Sequence, residues 1–245
     1  MKSFILAVRN GKEILRDPLN LAFGIGFPLI ILFLLSAIQA NIPVSLFVID
    51  KLIPGIAVFG LSFISLFSGM LLAKDRSTSF LMRLFTAPLS ASNYIMGYSL
   101  PLLPIAIIQM VICYIAAFFL GLPVNANVLL SLIVLIPAAV FFIGIGLLAG
   151  SIFNDKQVGS ICGALLTNLS AWLSGTWFDL NLVGGWFKSI SYALPFAHAV
   201  DAGRAAISGD YASILPHLWW VIGYAVIIMI VAIFTFKKKM NGETE

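Results

Sequence analysis

Side chains able to do chemistry are scarce in this chain, and they cluster. Among 245 residues there are 14 Lys and Arg, 10 Asp and Glu, two His and two Cys. The densest group is 74–93, KDRSTSFLMRLFTAPLSASN, where Lys74, Asp75, Arg76 and Arg83 surround an apolar set, Phe80, Leu81, Leu84 and Phe85, at helical spacing. A second group mixes Asp179, Lys188, Asp201, Arg204 and Asp210 with Trp186, Tyr192 and Phe196. Asp201 and Arg204 are three apart and can pair on one helix face. His198 and His217 fit interfacial histidines better than metal ligands or a general base. The third group is polar but uncharged: Ser62, Ser65, Ser68, Gln109, Thr167 and Asn168 lie inside otherwise apolar stretches. Such groups form interhelical hydrogen bonds worth ~1 kcal/mol or less each, or they wall a weakly polar substrate path.

Motifs for covalent, metal or nucleotide chemistry are missing. The sequence contains no G-x-x-x-x-G-K-[ST] phosphate loop and no H-E-x-x-H. No Cys/His cluster has zinc spacing, and no Ser-His-Asp or Cys-His set is readable. Cys113 and Cys162 fall in apolar stretches and read as small packing residues. Proton- and sodium-coupled carriers keep ionisable groups within the membrane, and the apolar stretches here hold almost none.

The elements that position these groups are set by composition. The chain is 61% hydrophobic and 10% charged, against about 25% charged for soluble domains. Six apolar stretches, 19–38, 52–73, 94–120, 128–150, 158–177 and 215–236, are each long enough to cross a hydrocarbon layer of ~30 Å. The expectation is an all-α integral membrane protein, one domain over 1–245, with 19–38 a retained span because 36–40 match a small-x-small cleavage site poorly. Eleven of the cations flank one side of these spans, and only Lys51, Lys188 and Arg204 flank the other. The positive-inside rule puts both termini in the cytoplasm. All five tryptophans, Trp172, Trp177, Trp186, Trp219 and Trp220, then lie toward the outer side as an aromatic belt. The net charge of +4 reflects these loop cations, not a nucleic-acid surface.

Between the spans, 1–17 reads as an interfacial helix, with Phe4, Val8 and Leu15 on one face and Ile5 beside it. Lys2, Arg9, Lys12, Glu13 and Arg16 lie mostly opposite, toward anionic lipid, and Pro18 ends the helix. In 74–93, Ser77, Thr78 or Ser79 caps a short amphipathic helix and Pro88 stops it. The outer segment 178–214 is broken by Gly184-Gly185 and Pro195 into short helices packed on the spans. Gly146/Gly150 and Gly159/Gly163 form two G-x-x-x-G pairs suited to close packing. Pro101, Pro104 and Pro137 predict kinks, and Pro54 predicts a helix start.

The assembled pattern resembles the membrane subunit of type-2 ABC transporters over nearly its full length. Two stretches carry the likeness. One runs Leu52-Ile53-Pro54-Gly55-Ile56, Leu72-Ala73-Lys74-Asp75-Arg76 and Arg83-Leu84-Phe85-Thr86-Ala87-Pro88-Leu89-Ser90, similar in order to the daunorubicin-resistance permeases. The other is Tyr192-Ala193-Leu194-Pro195-Phe196 followed by Asp201, Arg204 and Gly209. The chain departs in having Ser79 or Phe80 near the family's glycine and Met82 where many members are acidic.

The resemblance implies six transmembrane helices with an N-terminal interfacial helix, a cytoplasmic coupling helix and short outer helices before the last span. Lys74, Asp75, Arg76, Phe80, Arg83, Leu84, Phe85 and Pro88 would engage a separate ATP-binding subunit. It further implies two copies of this chain, or a pair with a related permease, with two ATPase subunits holding ATP and Mg, in a bacterial plasma membrane. The second and fifth spans would line the interface between copies. Ser62, Ser65, Gln109, Thr167 and Asn168 would wall the path, and Trp186, Tyr192, Pro195, Phe196, Asp201 and Arg204 would build the outer segment. The implied activity is ATP-driven export of a hydrophobic or amphipathic small molecule, drug or antibiotic-like. Export of lipid, lipid-linked glycan or peptide, a membrane-embedded lipid-modifying enzyme, and a passive channel or scaffold remain alternatives.

Overall fold

The computed structural model describes residues 2–78 and 89–242, with side chains omitted at 2, 19, 241 and 242. Every regular element among them is helical. Helix α1 spans Lys2–Leu15. Asp17 then caps α2, Pro18–Asn41, by accepting from the Asn20 amide, with Pro18 at the first turn where no N–H is needed. Helix α3 is Ile49–Ser77 and α4 is Ala91–Phe119, capped by Ser90. Next come α5, Ala126–Val134, and α6, Ile136–Ile152. The segment Asp155–Val158 (α7), a π-helix Gly159–Leu166 and Thr167–Leu173 (α8) abut one another. Three short helices follow: α9 Leu180–Val183, α10 Gly185–Ala193 and α11 Pro195–Ser208. Helix α12, Tyr211–Gly242, closes the chain.

Five continuous stretches are long and apolar enough to cross a membrane: 20–41, 49–77, 91–119, 126–152 and 211–240. The expected span 158–177 is built differently, as the three abutting pieces just named. Its ends still lie far apart in the bundle. Asp155 shares a cavity with Lys74, while Gly175 accepts a hydrogen bond from Arg204, which also bonds Lys51 at the start of α3. Thr167 Oγ donates to the Cys162 carbonyl five residues back, at 2.9 Å, which fits the wider π spacing. One added residue per turn is invisible to an apolar run.

Other boundaries shift for identifiable reasons. Helix α3 starts at Ile49, so Pro54 lies inside it rather than at its start. Helix α4 runs through Pro101 and Pro104 without interruption. Pro137 does break the ladder: the chain turns at Leu135, between α5 and α6.

Helix α3 is the centre of the fold, buried from Leu52 to Ala73 except at a few positions. It packs on α6 by backbone approach. A Cβ on Gly146 would stand 2.0 Å from the Ser65 carbonyl oxygen, and one on Gly150 would stand 2.4 Å from that of Gly69. Ser68 Oγ crosses the same seam to the Ile143 carbonyl at 3.2 Å. The second glycine pair is not used this way, since a Cβ on Gly159 would meet nothing within 4 Å.

Two contacts place both chain ends together: Ser3 Oγ donates to Asn93 Oδ1 at 3.3 Å, and the rings of Tyr94 and Phe236 lie 5.6 Å apart. This is the basic end of the bundle. The opposite end holds α9–α11 and the tryptophans.

Candidate functional site

At the basic end, α1 lies against α4 with three faces. Leu6, Ala7, Asn10 and Ile14 are buried. Phe4, Ile5, Val8 and Leu15, the expected apolar face, point outward, with Phe4 68% exposed. An apolar surface left uncovered in a membrane protein is suited to lipid. The packed face was not anticipated. Its signal was Asn10, a polar residue four from Leu6 and four from Ile14, where the stripe should be apolar. Asn10 Nδ2 donates to the Gly97 carbonyl at 3.2 Å. Leu6 lies so close to Gly97 that a Cβ there would stand 2.7 Å from Leu6 Cδ2.

The third face carries Arg9, which meets Asp75 at the last turn of α3. Both guanidinium nitrogens engage the carboxylate: Arg9 Nη2 donates to Asp75 Oδ1 at 3.0 Å, and Nη1 donates to Oδ2. Tyr98 of α4 donates its hydroxyl to the same Oδ2 at 2.6 Å. Arg9 also reaches Glu13 at 2.6 Å and Asn10 Oδ1 at 2.9 Å. Asp75 is 3% exposed. Burial opposes the charge on Arg9, but its hydrogen bonds and attraction to Asp75 outweigh that, so the guanidinium pKa is raised. One buried carboxylate thus ties α1, α3 and α4 together directly before residues 79–88.

The neighbours of Asp75 point elsewhere. Lys74 is exposed, while Arg76 turns inward and donates to the Gly150 carbonyl at 2.7 Å, at the end of α6. Of the expected ATPase-contacting residues, Asp75 and Arg76 are therefore engaged within the subunit. Phe80, Arg83, Leu84, Phe85 and Pro88 lie outside the described residues.

The uncharged polar residues are not gathered into one lining. Ser62, Ser65 and Gln109 are fully buried inside the subunit and Thr167 nearly so. Ser62 Oγ donates to the Phe59 carbonyl at 2.6 Å, and Gln109 Nε2 lies where a Cβ on Gly60 would fall. Asn168 is exposed and bonds back to the Ala164 carbonyl at 2.8 Å.

At the far end, Pro195 starts α11 and Phe196 packs between Phe141 and Phe142, ring centroids 5.9 and 5.8 Å away. Gly209, at φ 77°, ends the helix in the left-handed region. The expected Asp201–Arg204 pair forms at 3.5 Å. Arg204 also donates to two carbonyls, Nε to Lys51 at 2.9 Å and Nη2 to Gly175 at 2.8 Å, joining α11 to the α3 start and the 158–177 segment. Tyr192 donates to Asp201 Oδ2 at 2.8 Å. Burial, then the Asp201 carboxylate, pushes the Tyr192 phenol well up. Trp186 stands apart, exposed beside Phe187.

The two histidines, expected singly at the interface, form a pair. His198 Nδ1 and His217 Nδ1 are 2.8 Å apart, and His198 Nε2 lies 2.9 Å from the Tyr192 carbonyl. The His198 ring stacks on Trp220 at 5.1 Å. A carbonyl only accepts, so His198 Nε2 carries a proton, and neutral His198 must accept at Nδ1 from His217. Sequence separation of 19 residues across two helices hid this pairing. Burial lowers the His198 pKa, and His217 adds to the effect. His198, Asp201 and Arg204 all spend their hydrogen bonds on neighbouring protein groups, which is how a structural joint is built.

A helical bundle with near-charge-free spans, and with its charged joints among the described residues at its two ends, is the architecture of a membrane-embedded protein. The chain belongs to the ABC-2 type transporter family, whose family model matches residues 2–207. It is 31% identical over 204 residues to the ycf38 protein of Porphyra purpurea, named as a transport permease, covering 78% of this chain and 69% of the relative. The like-named protein of Pyropia yezoensis is 27% identical over 235 residues, covering 89% of this chain and 80% of the relative. No solved structure matches. The family makes this chain a multi-pass transporter subunit rather than an enzyme.

Proposed function

We propose that this chain is the membrane-spanning subunit of an ATP-driven exporter, with its basic end in the cytoplasm of a bacterial cell. ATP and Mg would be bound by two separate ATP-binding subunits that dock on residues 79–88 and the adjoining basic surface. The observation that carries this reading is the Asp75 joint. Force applied immediately after α3 enters α1, α3 and α4 together, because one carboxylate holds all three. The segment 155–176 serves as the sixth crossing. Its outward face, with Ser160, Ala164 and Asn168 exposed and Gly159 open, suits contact with a second copy. The nearly charge-free spans suit a hydrophobic or amphipathic small cargo, with lipid, lipid-linked glycan or peptide as the nearest alternatives.

Copurification tests this. The full chain, co-expressed with the neighbouring gene product, should retain a protein bearing a phosphate loop and show ATPase activity. Arg83→Glu and Phe80→Ala should release it. Failure of any nucleotide-binding protein to copurify, or an intact complex in both variants, overturns the proposal.

A further inference from the structure

A cavity of about 310 Å³ opens at the basic end between the α1–α2 corner, the last three turns of α3 and α7. It is graded from apolar to charged. Phe67, Met70, Leu71 and Lys74 line it from α3, at the i, i+3, i+4, i+7 spacing of one helix stripe. Lys74 thus stands ~10 Å along the axis from Phe67. At Phe67 helix α2 packs closely on α3, since a Cβ on Gly24 would stand 2.5 Å from that ring. Ile14 and Leu21 complete the apolar wall.

The rim carries charges of both signs, and most of the acids are occupied. Glu13 is paired with Arg9, and Asp17 accepts from Asn20 with both oxygens. Arg16, Lys74 and Asp155 make no ion pair among the described residues. Among the described residues Asp155 Oδ1 accepts only from the adjacent Lys156 amide, at 2.9 Å. The uncommitted charges are therefore two cations and one carboxylate around a chamber with a greasy floor.

We infer that this cavity holds the headgroup of a zwitterionic glycerophospholipid, phosphatidylethanolamine, from the leaflet at the basic end. The phosphodiester sits between Arg16 and Lys74, which supply charge-assisted donors. The ammonium meets Asp155, and the first methylenes lie on Leu21, Met70 and Leu71. An anionic lipid would satisfy the two cations but leave Asp155 opposed to a neutral or negative group. A surface attraction to acidic lipid needs no chamber and no carboxylate.

Native mass spectrometry of the purified full chain in detergent, titrated with phosphatidylethanolamine or phosphatidylglycerol, tests the inference without any ATPase or transport. The expected result is one retained phosphatidylethanolamine per chain, favoured over phosphatidylglycerol. Arg16→Gln with Lys74→Gln, both exposed and so compatible with folding, should weaken it about a hundredfold, about tenfold for each lost charge-assisted contact. Asp155→Asn should erase the preference between the two lipids while leaving total lipid bound. Met70→Trp should fill the chamber and remove the adduct. Free phosphoethanolamine should not displace the lipid, because it lacks the apolar anchor. Equal retention by wild type and the Arg16/Lys74 double variant, preference for phosphatidylglycerol, or displacement by the free headgroup would each overturn the assignment.

Discussion

The Asp75 joint makes the sharpest prediction, because three helices depend on one carboxylate. Removing one partner of a buried ion pair costs ~3–5 kcal/mol when both are buried. Asp75 is close to that limit, its side chain 4% exposed, but the Arg9 side chain is 35% exposed and water screens part of its field. Arg9→Gln should therefore cost about 2 kcal/mol rather than the full penalty. Asp75→Asn should cost about the same, since the amide keeps a hydrogen bond with Tyr98 while losing the charge. Once either is gone the second has little left to break. The double variant Arg9→Gln/Asp75→Asn should then cost about 2 kcal/mol, not 4, a coupling of about 2 kcal/mol. At ~2–4 °C per kcal/mol for a chain of this size, each single variant lowers the melting temperature by ~4–8 °C and the double variant no further. The assay is thermal unfolding in detergent followed by tryptophan fluorescence, which reports loss of the outer belt, far from the substitutions. Additivity of the two single effects to within ~0.5 kcal/mol would show that Arg9 and Asp75 do not hold each other, and the reasoning from the joint to force transmission would fall with it.

Three further outcomes follow from the packing. Gly150→Ala should destabilise by ~3 kcal/mol or block folding, because its Cβ would meet the Gly69 carbonyl oxygen at 2.4 Å. Gly159→Ala should leave the melting temperature of the isolated subunit unchanged or slightly raised. Equal destabilisation by the two would refute the asymmetry between the glycine pairs. Arg204→Lys should lose ~2 kcal/mol, as a single ammonium cannot reach the Lys51 and Gly175 carbonyls together, and a silent variant would show that neither bond matters. The His198 pKa is lowered on folding, so the unfolded chain binds protons more readily and stability falls with acidification. That stability is fully present above the unfolded pKa of ~6.5 and is lost as pH falls through the folded value. Melting temperatures between pH 7.5 and 5 should drop more in wild type than in His198→Gln, with Asp201, Arg204 and Lys188 unchanged. A parallel pH profile in the variant would place the effect elsewhere.

Much of the architecture was legible in the sequence because a bilayer constrains it strongly. Charge-free runs of spanning length, cations on one side and tryptophans on the other have few alternative readings. The grouping of segments at two ends that they implied matches contacts made by different residues: Ser3 with Asn93, Tyr94 with Phe236, and Arg204 with Lys51. Hydropathy could not reveal the π-helix, because it counts apolar residues and not residues per turn. The polar joints were half legible. Asp201 and Arg204 are three apart on one helix, so local spacing finds them. Arg9 and Asp75 are 66 residues apart and His198 and His217 lie on different helices. Such pairs are set by how helices cross, which a single sequence does not state. The basic residues of α1 fitted a face turned wholly to lipid, which concealed that Arg9 turns to the protein.

The joints also explain why α3 is the frame of the subunit. At the basic end Asp75 holds α1 and α4, and Arg76 holds the end of α6. Midway, glycines on α6 bring its backbone against α3 too closely for a methyl group. At the far end the Lys51 carbonyl holds Arg204 of α11. Each third of α3 is held to another helix, by buried polar groups at its two ends and by close backbone packing in the middle. Helices α1, α3, α4 and α6 are therefore joined directly before residues 79–88, where the proposed ATP-binding subunit would load them. Helix α2 and the 159–173 segment have fewer such ties: α2 exposes Phe23, Ile30, Phe33 and Leu34, and 159–173 exposes Leu165, Leu169 and Trp172. Relative motion costs least where the fewest buried contacts must break, and in this subunit that is the seam between α3 and its two lightly tied neighbours, of which α2 also borders the graded cavity at its basic end.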